Sequence, residues 1–306
     1  MKYLSLLGIL LFLFLPIGGA PLLYSQEEAA EPEEKEEEIK SITEERKDTL
    51  RYGITSQILS VLETITEEKD AGYTEEAESL FDTLRNTGVH TAVFNYFRAI
   101  EDDSLDDRAA EVLENHLDKP PRLVSSVLSY AAETGIEELE PRILVIAESG
   151  ISGTLSIDAV KALGELGDED TVERLLELYG ESGVPEQVRE QIILVLDQLQ
   201  AEGAIDLLIE IARDEGESIT MRRYAADSLG RIGSSRAVET LQELYAQDDP
   251  YLRANAVYSL GLIGGPEAED ILFAALRDEF WRIRVSAAEA IGEAGIEEGF
   301  EILTYK

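Results

Sequence analysis

Apolar residues recur three and four positions apart along this chain, and the recurrence itself repeats. In the stretch beginning at Met221, Ala225, Leu229 and Ile232 share one helical face. In the stretch after Gly167, Val172, Leu175, Leu176 and Tyr179 follow the i, i+3, i+4, i+7 spacing of a second apolar face. The pattern predicts a helix A, a glycine, and a helix B in every unit. One such hairpin leaves apolar surface uncovered on both sides, so units must stack on their neighbours to make a continuous core.

The units align from Ser156, Val188, Met221, Leu252 and Ile283. Arg189, Arg222, Arg253 and Arg284 share one position, spaced 33, 31 and 31 residues apart. Gly164, Gly230, Gly261 and Gly292 share a second, where Asp197 is the exception. Gly167, Gly233, Gly264 and Gly295 share a third, where Gln200 is the exception. The first glycine suits close approach of a neighbouring helix, and the second suits a left-handed cap after helix A. Upstream the pattern fades while the period persists, with Gly135 lying 32 residues before Gly167. Three further helix pairs are readable there, giving about eight in all, with the end units as caps.

The core read as LRANAVYSLGLIG, Leu252–Gly264, resembles the HEAT family in its short bacterial variant, also called PBS-lyase-like. The resemblance implies an all-α, right-handed α-solenoid of the HEAT/armadillo kind, with helix B lining the concave face and the arginines supporting the repeat junctions. Asp249 and Asp278, just before Arg253 and Arg284, are the expected arginine partners. The resemblance also implies a protein-binding scaffold. The lyase-like name raises an accessory enzyme as an alternative, and an envelope-complex assembly factor is another.

The first residues form a separate segment. Lys2, an apolar run from Leu4 to Leu15, the breakers Pro16, Gly18 and Gly19, and small residues at Ala20 and Ser25 form the three-part pattern of a secretory signal peptide spanning 1–25. An uncleaved anchor is the alternative, but the breakers interrupt the roughly 20 apolar residues a span needs. Residues 26–46 are a block of like charge, expected to be a disordered tether. The solenoid is expected over 47–306, clearest from 153, in a periplasmic protein with no membrane span after cleavage.

Composition narrows the chemistry. There are 64 acidic and 26 basic residues, a net charge of −38, which disfavours nucleic acid and favours a protein partner with a basic surface. With no cysteine and only His90 and His116, disulfides, zinc–thiolate sites and serine–histidine relays lack material. No carboxylate pair stands out as general acid and base, so no catalytic residue, metal site or cofactor is assigned. Two acidic columns on helix B are the sharper candidates. Glu173, Asp206, Glu239 and Asp270 form one; Glu177, Glu210 and Glu243 form the other, one turn on. They read as a surface for a basic partner, or as ordinary solvated helix face. Tyr258 and Trp281 stand where sister units are polar, and are expected to be exposed contact residues.

Overall fold

The computed structural model describes residues 32–150 and 153–299. The expected signal peptide, the first residues of the tether and the last residues of the chain lie outside them. Two compact units divide the chain, Met1–Glu45 and Arg46–Lys306.

Helix α1 (Pro32–Tyr52) begins in the first unit. This corrects the expected tether, since residues 32–46 are helical. A block of like charge with few apolar residues argues against burial, not against a helix. Local propensity decides instead, because Glu and Lys are strong helix formers and Pro suits a first helical position. No helix among the described residues is long and apolar enough to cross a membrane.

The second unit is all-helical among the described residues. Its pairs are α2 (Thr55–Glu68) with α3 (Thr74–Thr83), α4 (Thr87–Ala99) with α5 (Asp106–Glu114), and α6 (Pro121–Thr134) with α7 (Glu140–Glu148). Then come α8 (Gly153–Leu166) with α9 (Glu169–Gly180), α10 (Glu186–Gln198) with α11 (Ile205–Arg213), and α12 (Ile219–Ile232) with α13 (Val238–Tyr245). The series closes with α14 (Pro250–Ile263) and α15 (Pro266–Ala275), and with α16 (Trp281–Ala294), which opens an eighth unit. Helices A pack on one another in sequence from α2 to α16, and each helix B packs against the helix A that follows it. This is the expected solenoid. The last turn of α1 joins the same core through Leu50, and its Arg51 reaches the buried Glu76 at 2.6 Å.

Two kinds of packing fill the core. The early units use large rings: Phe94 lies 5.3 Å from both Phe81 and Tyr130. Tyr96 donates to Asp70 O at 2.7 Å, and Tyr130 Oη accepts from Leu105 N at 3.0 Å, so both buried phenols are satisfied by loop backbone. Burial pushes the Tyr96 phenol up to about 12. The later units use a seam of small residues. A Cβ on Gly230 would stand 2.5 Å from Ser259 Cβ, and one on Gly261 2.3 Å from Ala290 Cβ. Gly164 is pressed by Gln198 and Val195 in the same way. This is the close approach expected of the first glycine column, and Gly292 departs from it, with nothing within 4 Å of a Cβ there.

The second column is mixed. Gly233 and Gly295 adopt left-handed caps at φ 74° and 66°. Gly264 has positive φ with an extended ψ. Gly167 departs from the expected cap: its φ is ordinary, and α9 follows so closely that a Cβ would stand 2.6 Å from Thr171 Cγ2. Gln200, the exception in the sequence, takes the left-handed conformation itself at φ 51°.

Candidate functional site

The arginine column lies at the repeat junctions. Arg222 Nε donates to Ala212 O at 3.0 Å, and Arg253 Nε to Tyr245 O at 3.1 Å. Arg284 Nη1 donates to Asp278 O and Glu279 O, at 2.8 and 3.0 Å. Arg222 and Arg253 thus cap the carbonyl end of the preceding helix B, where the helix dipole favours a cation, while Arg284 binds the turn that follows α15. Arg189 instead stacks on Tyr179, 5.4 Å from the ring centroid. Its Nε and the Tyr179 hydroxyl are buried without hydrogen-bond partners, and burial pushes that phenol up to about 12.

The expected acidic partners differ in detail. Asp249 accepts from Tyr251 N and Leu252 N as the N-cap of α14, so its carboxylate serves the helix rather than Arg253. Asp278 pairs with Arg253, and offers Arg284 only its backbone carbonyl. Asp197, standing in the glycine column, is buried and pairs with Arg231 of α12. A lone aspartate replacing glycine carries no periodic signal, so the sequence could not show this pair.

The two carboxylate columns are exposed on helices B, as their spacing requires. They are not bare. Arg174 holds Glu148 of α7 at 2.5 Å and Glu177 at 3.4 Å. Arg213 reaches Glu243 at 2.6 Å and Glu239 at 3.7 Å, and Arg236 contacts Asp206. These pairs link successive helices B across the wet face, where each contributes roughly 0–1 kcal/mol. Among the described residues, Glu173, Glu210 and Asp270 remain outside the ion pairs.

Glu173 stands in different surroundings from the rest. With Asp168, Glu169, Asp170 and Glu202 it rims a cavity of about 560 Å³ between α9 and the entry to α11. Its floor is apolar, formed by Val172, Leu176 and Leu199, and no Lys or Arg lines it. Just beside it Glu140 contacts the Thr171 hydroxyl. Partial burial, reinforced by Asp168, Asp170 and Glu137, holds the Glu140 carboxyl above its ordinary range. The periodic reading found Glu173 but missed Asp168, Glu169, Asp170 and Glu202, which lie in loops and first turns outside the columns.

The aromatic candidates separate. Tyr258 is half-buried rather than exposed, because it donates to Glu293 at 2.8 Å in a cleft between α14 and α16. Trp281 is exposed at the start of α16. His90 and His116 each bond a backbone carbonyl, and among the described residues no three His, Asp or Glu side chains are placed to hold a metal ion.

The family described as spirochaete HEAT repeat protein matches residues 50–306. No curated protein shows significant similarity. Among solved structures, human deoxyhypusine hydroxylase in complex with glycerol is 16% identical at a TM-score of 0.38, covering 86% of this chain and 99% of that one.

Proposed function

The chain belongs to the spirochaete HEAT repeat proteins, and on that footing we propose that it is a non-catalytic scaffold holding a protein partner along its helix B face, outside the cytoplasm. The supporting observation is the cavity rimmed by Glu173, whose five carboxylates have no cation among the lining residues. A lysine or arginine of the partner would lay its aliphatic stem on Val172, Leu176 and Leu199 and present its charge to the rim. The net charge of −38 steers basic surfaces toward the molecule. The exposed Glu210 and Asp270 extend the same face.

The test is binding of a lysine-rich peptide, and of the partner captured with the full chain, to wild type and to a Glu173→Lys, Glu202→Lys variant. The expected outcome is a loss of at least tenfold in affinity and steep weakening with salt. Full affinity in the variant would overturn the assignment of the site. For location, N-terminal sequencing of the mature protein should begin at Gln26; a start at Met1 would overturn cleavage.

A further inference from the structure

A second surface has the opposite chemistry. At the N-terminal ends of α12, α14 and α16, three rings form a connected patch. Phe280 lies 6.2 Å from Tyr251 and 6.3 Å from Trp281, centroid to centroid. Tyr251 is 43% exposed, Trp281 55% and Val285 41%. Two arginines stack on the rings. Arg282 stands 5.0 Å from the Tyr251 centroid and 5.2 Å from that of Trp281, and Arg223 stands 5.5 Å from Tyr251.

In a chain with 64 carboxylates, neither Arg223 nor Arg282 has an ion-pair partner among the described residues. Arg223 Nε is also buried without a hydrogen-bond partner. Asp227, one turn along α12 from Arg223, feels its charge without forming an ion pair with it; Asp249 caps α14 and Asp278 holds Arg253, leaving Asp248 and Glu279 on the adjoining turns. Guanidinium groups held against rings are pre-oriented, and their planar fork suits paired hydrogen bonds to a carboxylate. Exposed Trp and Tyr are strong anchors for an apolar side chain. At physiological salt the Debye length is about 8 Å, so the distant acidic face contributes little to the field at this patch.

We propose that the Tyr251–Phe280–Trp281 patch docks an acidic segment of a partner protein, whose carboxylates seat on Arg223 and Arg282 while an apolar side chain covers the rings. This site is separate from the Glu173 cavity and does not depend on it.

Trp281 is the sole tryptophan of the chain, so its emission reads this patch directly. The full chain would be titrated with a synthetic peptide alternating Glu and Leu, and with counterparts carrying Gln or Lys in place of Glu. The Glu peptide should give a saturable emission shift and the other two none. Arg282→Gln, at an exposed position, should weaken binding about tenfold, the loss of one charge-assisted contact worth about 1.4 kcal/mol. Arg282→Glu should abolish binding of the Glu peptide and admit the Lys peptide. Unchanged circular dichroism would show both variants folded, and neither touches the Glu173 cavity. Equal binding of the Gln or Lys peptide to wild type, no saturable shift up to about 1 mM Glu peptide, or undiminished affinity in Arg282→Gln would each overturn the proposal.

Discussion

Alanine in place of Gly261 and in place of Gly292 is one chemical change at one repeat position, yet the structure assigns the two opposite signs. At Gly261 the new Cβ would stand 2.3 Å from Ala290 Cβ and 3.1 Å from Ala290 Cα. Carbon atoms rest at about 3.5–4.0 Å, so α14 and α16 must part by roughly 1 Å along the seam. No flexible side chain can give way there, because the obstacle is an alanine and its backbone. Overpacking of this kind costs about 1–3 kcal/mol. Better helix propensity returns about 1 kcal/mol, leaving a net loss of up to about 2 kcal/mol. At Gly292 nothing lies within 4 Å of the new Cβ, so only the propensity gain of about 1 kcal/mol remains. The propensity gain is common to both, so the two variants should differ by the overpacking cost alone, about 1–3 kcal/mol. Urea unfolding followed by far-ultraviolet circular dichroism reads the whole array, and Trp281 emission reads α16 itself. Repeat arrays can open by parts, so both probes are needed. In a chain of this size each kcal/mol moves the melting midpoint by about 2–4 °C. Shifts of the same sign in both variants would refute the small-residue seam as the determinant of helix A spacing.

Three further outcomes follow from named contacts. Arg253→Ala leaves the Asp278 carboxylate, only 5% exposed, without its guanidinium, and should destabilise by about 3–5 kcal/mol; Arg253→Lys should fail to restore stability, since an ammonium cannot serve both Tyr245 O and Asp278 in the planar geometry. Gln200→Gly should stabilise by about 1 kcal/mol, because Gln200 holds φ at 51° where a Cβ is strained; an unchanged denaturation midpoint would count against it. Glu140→Gln should be more stable than wild type at neutral pH, by an amount that fades in acid. The Glu140 carboxyl is held above its ordinary 4.5, so its contribution is present below that value and lost as pH rises through the folded-state value. Equal stability at neutral pH would contradict this, as would a difference that grows in acid.

The solenoid was legible because its period is written in residues with one local job each. The arginine column needs only backbone carbonyls at the repeat junction, which Arg222 and Arg253 find at a helix end and Arg284 in the turn beyond one. The glycine column needs only a neighbouring helix, and Gly164, Gly230 and Gly261 have it. What escaped depends on neighbours that a period does not specify. Arg174, Arg213 and Arg236 neutralise much of the acidic columns, but they occupy different positions in their units and so formed no column of their own. The rim around Glu173 is assembled from loop ends of two units. Tyr258 looked exposed from its aligned sisters, yet Glu293 one repeat later draws it into a cleft. Residues 32–45 carry almost no apolar pattern, yet they are helical because Glu and Lys propensity suffices without one. The early units lost the glycine signal because Phe94, Tyr96 and Tyr130 fill the space that small residues leave closed downstream.

The seam of small residues has a mechanical consequence. Helices α12, α14 and α16 meet through dry contacts of Gly, Ala and Ser, and separating them exposes apolar surface at about 25 cal/mol per Å². Helices B are tied across their wet face by long arginine–carboxylate pairs, each re-formable at little expense. The array is therefore stiff on one side and yielding on the other. It behaves as a leaf spring with an inextensible backing strip, flexing in one direction only, and dissolved salt adjusts the softness of its yielding side alone.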